Sequence, residues 1–182
     1  MSELFSIQLQ NRQQQGRNGV WLDLPTTTEQ VQAALRQIGI SSDNPQGLFI
    51  SGYFAEEEKR FAIPYNMVLA SNVDELNFLA ARLETLSAGE RAELNAALQA
   101  PQSELSSIGR ITDFPENVDY YVHLPEVHGP AQLGDYYLNR SGMVDMPEEW
   151  KGGIDTAQFG RYVAQQEQGA SVSYTHLTLP TK

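Results

Sequence analysis

The chain has 182 residues, of which 41% are hydrophobic, and this content is enough for a folded core, which excludes wholesale disorder. Its 23 acidic and 12 basic residues give a formal net charge of -11, which argues against direct nucleic-acid binding because phosphate contacts need an excess of Lys and Arg. Cysteine is absent, so disulfides, thiol nucleophiles and cysteine-based zinc sites are excluded.

Residues 1–64 predict an α+β domain in which one helix packs on a mostly antiparallel sheet. Alternating or continuous apolar residues favour strands over three segments, and a fourth short segment is a further candidate. The predicted strands are 4–9, 20–24, 48–54 and, as the fourth candidate, 61–63. A helix is predicted over 27–38, beginning with a Thr26 and Glu29 capping box and ending at Gly39.

Residues 65–109 predict a helical middle domain. A helix over 73–86 begins at Asn72, and a second helix begins with a capping box of Ser87 and Glu90. Ser103 is predicted to cap a short helix that continues to residue 108.

Residues 110–170 predict an acidic α+β domain. The predicted elements are strands over 111–114 and 120–124, a helix over 131–139, a helical turn over 147–150, and a helix capped by Asp155 with Phe159, Tyr162 and Val163 on one side.

The last residues, 171–182, differ in composition from the rest, with several threonines and no acid. We interpret them as a non-native tail. The alternative is a genuine edge strand, because Val172, Tyr174 and Leu177 favour strands.

No familiar catalytic pattern occurs: the chain has no P-loop, no dinucleotide-binding glycine motif and no nucleophile elbow. His123, Glu126 and His128 lie in a proline- and glycine-containing loop whose spacing does not match a zinc site. We therefore expect no catalytic residue, no metal and no cofactor. No apolar run is long enough to span a membrane and the N-terminus is polar, so we expect a cytoplasmic protein without membrane contact.

Negative charge is concentrated in the last third. Residues 1–60 contain 7 acidic and 5 basic residues (net -2), residues 61–112 contain 6 and 3 (net -3), and residues 113–170 contain 10 and 3 (net -7). The carboxylates are too dispersed for a calcium loop. They indicate either an ordinary soluble surface or a surface that imitates the phosphates of a nucleic acid.

Five segments, in this order, resemble the ArdA family of antirestriction proteins. They are residues 19–25 (GVWLDLP), 49–53 (FISGY), 74–80 (DELNFLA), 133–137 (LGDYY) and 154–161 (IDTAQFGR), and the resemblance covers about residues 3–168. Gly52 stands where an Asp is common in that family.

The resemblance implies a non-enzymatic inhibitor made by a mobile element: an elongated chain of three small domains that forms a homodimer. Its dispersed carboxylates would mimic bent B-form DNA and occupy the DNA-binding groove of a type I restriction–modification enzyme. The antirestriction segment of the family corresponds to about residues 126–140, near the expected dimer contact.

Two sets of residues follow from this reading. The DNA-mimic carboxylates are expected to be Glu56, Glu57, Glu58, Asp74, Glu75, Asp113, Glu116, Asp119, Glu126, Asp135, Asp145, Glu148, Glu149 and Asp155. The expected dimer contact is formed by Leu133, Tyr136 and Tyr137. The alternative function is a protein–protein adaptor of a mobile element that uses the tyrosine-rich third domain, without DNA mimicry.

Overall fold

The computed structural model describes residues 3–14, 18–41, 45–100, 103–117, 122–167, 170–172 and 175–178. The chain forms two compact units. Unit 1 comprises Met1–Arg91 and Leu105–Pro115, and unit 2 comprises Ala92–Glu104 and Glu116–Lys182. The predicted mixture of helices and sheets is confirmed, whereas the three-domain division stays a prediction.

Unit 1 contains an antiparallel sheet of three strands, β1 (Phe5–Asn11), β2 (Val20–Leu24) and β3 (Leu48–Phe54), in the order β2-β1-β3. The three predicted strands are thus confirmed. The alternation seen in the sequence reflects burial, because Phe5, Ile7 and Leu9 are at most 2% exposed and lie on one face of the central strand.

The fourth candidate strand, 61–63, was wrong. Phe61 and Ile63 are buried in unit 1, but their backbone pairs with no strand among the described residues. The Phe61 ring lies under the guanidinium of Arg91, 5.2 Å from ring centroid to Cζ. The apolar residues of this segment belong to a loop before Pro64 whose own side chains are buried, so the apolar run does not require a strand.

The helix α1 (Thr28–Gln37) begins with a capping box of Thr27 and Gln30, so the assignment to Thr26 and Glu29 was wrong. The sequence offers two boxes one residue apart. The backbone of Thr26 is already engaged, since its N–H donates to Asn77 Oδ1 at 2.7 Å and its carbonyl accepts from Asn77 Nδ2 at 3.0 Å. Gly39 follows the C-cap with a φ of 71°.

Four helices follow: α2 (Tyr65–Leu69), α3 (Val73–Glu84), α4 (Ala88–Gln99) and α5 (Ile108–Thr112). The caps predicted at the starts of α3 and α4 are confirmed. Asn72 Oδ1 accepts from the Glu75 N–H at 2.8 Å, and Ser87 and Glu90 bond reciprocally, at 2.7 Å and 3.3 Å. The chain passes from unit 1 to unit 2 within α4, between Arg91 and Ala92.

Two predictions for the segment after α4 were wrong. Ser103 does not begin a helix, and the segment 111–114 is not a strand: Ser107 caps α5, and a short 3-10 turn follows at Phe114–Glu116. Ile108, Ile111 and Phe114 are buried at a spacing of three residues, which is a helical repeat. A short apolar run does not distinguish this repeat from a strand.

Unit 2 contains β4 (Val122–Leu124), α6 (Pro130–Asn139), α7 (Glu148–Lys151), α8 (Thr156–Gln166), β5 (Ala170–Val172) and β6 (Thr175–Thr178). The helices predicted over 131–139 and after Asp155 are confirmed. The predicted turn over 147–150 lies one residue later, and the strand predicted over 120–124 begins at Val122, its first two residues lying outside the described ones.

The three strands of unit 2 form an antiparallel sheet in the order β4-β6-β5. The C-terminal segment thus contains strands, as the alternative interpretation held, but β6 is the central strand and not an edge. The native or non-native origin of residues 171–182 is a separate question and stays a prediction.

Candidate functional site

Unit 2 is the more acidic of the two units. It contains 11 acidic and 4 basic residues (net -7), whereas unit 1 contains 12 and 8 (net -4). Most of the predicted carboxylates belong to it, on its helices or in the segments that connect them.

The framework of unit 2 is the close crossing of α6 and α8. A Cβ atom at Gly134 would collide with the Thr156 carbonyl oxygen and lie 3.0 Å from the Gly160 nitrogen. A Cβ atom at Gly160 would collide with the Pro130 carbonyl oxygen and lie 2.7 Å from the Gly134 nitrogen. The two backbones therefore touch, and only glycine fits at the crossing.

A hydrophobic cluster surrounds this crossing. Its buried members are Leu124, Val127, Leu133, Tyr137 and Val163, against which Tyr136, Phe159 and Ala164 pack. Tyr162 was predicted on the apolar side of α8 but is 59% exposed, because the buried stripe is centred on Gly160 and Val163.

This packing decides what the predicted dimer residues can contact. Leu133 is 1% exposed and Tyr137 is 7% exposed, and the Tyr137 hydroxyl donates to Glu167 Oε2. Only Tyr136 is partly accessible, with its ring in edge contact with Tyr137 at 5.5 Å between centroids. Of the three predicted contact residues, Tyr136 is therefore the one whose side chain a partner could reach. The dimer contact itself stays a prediction.

The carboxylates on and before α6 are partly engaged with a cation. Asp135 Oδ2 accepts from Arg140 Nη2 at 3.2 Å, and its Oδ1 accepts from Asn139 Nδ2 at 2.8 Å. Glu126 lies 3.8 Å from Arg140 Nη1, with its side chain 87% exposed. Surface pairs of this kind contribute little stability, but they offset part of the local negative charge.

The segment from 141 to 155 carries the most accessible acids. Asp145, Glu148 and Glu149 are exposed. Lys151 Nζ contacts Glu148 Oε1 at 2.6 Å, and the lysine side chain is only 15% exposed while that of the glutamate is 82% exposed. The cation is therefore largely withdrawn from the surface and the carboxylates remain accessible.

Asp155 has a structural role that the sequence indicated. Its Oδ1 accepts from the backbone N–H groups of Ala157 and Gln158, at 2.9 Å and 3.0 Å, and so caps α8. A carboxylate that caps a helix is restrained toward that helix, so Asp155 is less free than Glu149 to meet a partner.

Among the predicted carboxylates of unit 1, Glu56 is paired with Lys59 at 2.9 Å, and Glu57 is exposed. Asp74 is exposed in the first turn of α3, where Glu75 takes part in the cap. Asp113 is exposed just before the 3-10 turn, and Glu116, the last residue of that turn, is exposed and belongs to unit 2. The Glu58 side chain and Asp119 lie outside the described residues.

Sequence reasoning missed two features of the surface. Trp21, which is 50% exposed, lies across the outer face of the sheet, where a Cβ atom at Gly52 would be 3.1 Å from its Cη2. Trp150 is 66% exposed in α7. Trp150 stands directly after Glu148 and Glu149 and before Lys151 in the sequence, and a large apolar residue among charges was the signal available for it.

Two further observations concern other classes of protein. Among the described residues, no helix combines the length and apolar character that crossing a membrane requires. Within that same part of the chain, no group of three or more His, Asp or Glu side chains converges as a metal site would.

Comparison with protein families gives a match over most of the chain. The family model described as antirestriction protein (ArdA) matches residues 15–178, which is most of the 182-residue chain. The chain belongs to the ArdA family. ArdA proteins are inhibitors of restriction, and the resemblance seen in the sequence is confirmed. Comparison with curated proteins gave no match.

The five ArdA-like segments lie on β2, β3, α3, α6 and α8. The matched region also includes β6, which ends at Thr178. In this ArdA chain the segment 133–137 contains Gly134, and the segment 154–161 contains Gly160. The last two segments therefore meet at the helix crossing of unit 2.

Proposed function

We propose that this ArdA-family chain inhibits type I restriction–modification enzymes by presenting carboxylates in place of DNA phosphates. Such a protein acts by binding and not by catalysis, without a cofactor and without touching nucleic acid itself. It competes for a basic groove because its charges replace those of the duplex.

The observation that carries the proposal is the imbalance of charge in unit 2. Of its four basic residues, Arg140 contacts Asp135 and Glu126, and Lys151 contacts Glu148. Asp145, Glu148 and Glu149 remain exposed. A net charge of -7 from 11 acids and 4 bases then favours association with a cationic surface.

The alternative, an adaptor that uses a tyrosine-rich surface, has less support. It needs an accessible apolar patch. Tyr137 and Leu133 are instead buried in the cluster of unit 2, and Tyr120 and Tyr121 lie outside the described residues.

The proposal is tested by competition between the protein and a labelled DNA duplex for a purified type I enzyme, across a salt series. The E148K/E149K double variant should inhibit less than the wild type, and inhibition by the wild type should weaken as salt rises. If this variant inhibits as strongly as the wild type at low salt, the proposal that these carboxylates mimic DNA phosphates is contradicted.

A matched pair of variants separates position from total charge. E148Q/E149Q removes two negative charges, whereas Q165K/Q166K adds two positive charges at exposed positions of α8 in the same unit. Mimicry predicts a larger loss of inhibition for the first pair. Equal losses would indicate that net charge alone acts.

A homodimer in the cytoplasm of the host is part of the proposal. Sedimentation velocity tests it, with Tyr136→Ala as the variant, because Tyr136 is the partly accessible member of the predicted contact. If the wild-type protein sediments as a monomer, the homodimer part of the proposal is wrong. The competition assay then still tests the inhibition of type I enzymes.

A further inference from the structure

Trp150 exposes a bicyclic aromatic ring in the most acidic part of unit 2. The single-turn helix α7 has no buried residue, and Trp150 is 66% exposed. Tryptophan side chains usually bury most of their large apolar area and are enriched where proteins bind partners. The core of unit 2 does not use this ring, so the ring is available to a partner.

The charges beside Trp150 select the kind of partner. Glu148 and Glu149 immediately precede it, and Asp145 lies five residues before it, all exposed. Lys151 is the only basic residue between positions 141 and 160, and it is withdrawn against Glu148. A partner that covers the indole must therefore also neutralise several carboxylates, so its surface is cationic.

A second copy of the chain does not satisfy this requirement. In a two-fold contact the same patch faces itself. Asp145, Glu148 and Glu149 would then approach their own copies around the two indole rings, and like charges at close range repel.

We propose that Trp150 serves as a base surrogate: its indole stacks in the part of the DNA-binding groove that contacts bases, while the neighbouring carboxylates meet the phosphate-binding residues. This inference rests on the proposed function and names a contact within it. The bases of a duplex show only their edges in the grooves, but an enzyme that modifies a base takes that base out of the stack and contacts its π-face. A fused two-ring system such as indole offers the π-face of a purine.

The two kinds of contact differ in their response to salt. Carboxylate contacts weaken as salt rises, whereas stacking of an uncharged ring depends little on it. Removing the ring should lower the affinity by a similar factor at every salt concentration. Removing Glu148 and Glu149 should instead flatten the dependence of affinity on salt.

The experiment measures how wild type, W150L, W150F and E148Q/E149Q displace a labelled duplex from a purified type I enzyme across a salt series. Loss of one stacked base is worth roughly 1–3 kcal/mol, so W150L should bind roughly 5- to 150-fold more weakly with an unchanged salt slope. W150F, which keeps a π-face, should lie between W150L and the wild type.

Y162L is the matched control, because Tyr162 is an aromatic residue of the same unit that is 59% exposed and lies in α8. It should displace DNA as the wild type does. Urea unfolding should show equal midpoints for all variants, since each changed side chain lies at the surface.

Each of the other outcomes counts against the inference. If the wild type displaces DNA and W150L does so equally well, the base surrogate is overturned while the proposed function stands. An equal loss in Y162L would show a general apolar effect and also overturn it. If the wild type fails to displace DNA at low salt, the proposed function falls and the inference falls with it.

Discussion

At the scale of single residues, Gly134 and Gly160 set how closely α6 and α8 can approach. At each glycine, the backbone of the other helix occupies the space that a Cβ atom would need. Glycine inside a helix costs about 1 kcal/mol relative to alanine, so both helices accept that cost at the crossing. The closer contact then allows Leu133, Tyr137 and Val163 to pack in one cluster.

Gly134→Ala and Gly160→Ala should each destabilise the protein by about 1–3 kcal/mol, because the added methyl group would overlap backbone atoms that cannot move alone. Urea unfolding followed by circular dichroism measures the change. Gly152→Ala is the control, since no atom lies within 4 Å of its added Cβ and its φ is -64°. Equal stabilities for Gly160→Ala and Gly152→Ala would contradict the close crossing.

At the scale of elements, the first turns of helices are where the sequence was most informative. Asn72, Ser87 and Asp155 were each assigned to a helix start from their residue type and the residues after them, and all three are confirmed. The capping signal depends on a few neighbouring residues, so it can be recognised in the sequence without knowledge of tertiary contacts. It fails where two candidates lie close together. For Thr26 and Thr27 a distant residue, Asn77, decides between them, and Ser107 caps α5 in place of the predicted Ser103.

The start of α4 gives a prediction about pH. The pKa of Glu90 is lowered by hydrogen bonds from the Ser87 hydroxyl and the Ser87 backbone N–H. A lowered pKa in the folded state means that this cap stabilises the helix above the unfolded pKa and ceases to do so as pH falls through the folded pKa. In Ser87→Ala, an NMR titration should show the pKa of Glu90 moving up toward its usual range.

Glu29, at the start of α1, is the internal control for that titration. Its pKa is also lowered, mainly by a backbone hydrogen bond and then by the Thr27 hydroxyl, and α1 is not changed by the substitution. Its titration should stay the same. A Glu90 titration unaffected by Ser87→Ala would show that the hydroxyl does not hold the carboxylate.

At the scale of the whole molecule, the sequence predicted the α+β class and the family but not the grouping into two units. The segment Leu105–Pro115 belongs to unit 1 although residues before and after it belong to unit 2. The chain returns to unit 1 at this segment through contacts between residues far apart in sequence, such as those of α5 with α3. Local sequence patterns do not carry information on such contacts. Periodicity alone did not indicate the exposure of Trp150, since it does not say which apolar residues remain uncovered; the charged neighbours Glu148, Glu149 and Lys151 were the available signal.

The two tryptophans allow unfolding of the units to be followed separately. Trp21 lies in unit 1 and Trp150 in unit 2. Because the chain passes between the units inside α4, loss of either unit removes part of a shared helix, and we expect one cooperative transition. Tryptophan fluorescence of W21F and of W150F in urea should give the same midpoint. Two separate midpoints would show that the units unfold independently.

The position of β1 has a consequence for synthesis on the ribosome. This strand is the centre of its sheet, yet it is made before both of its neighbours, and β3 begins only at Leu48. At ribosomal rates of about 5–20 residues per second, a nascent β1 waits on the order of seconds for its second partner. During that interval its alternating apolar face and one row of backbone groups are open to other chains, so a pause in translation before Leu48 should favour aggregation of the growing chain.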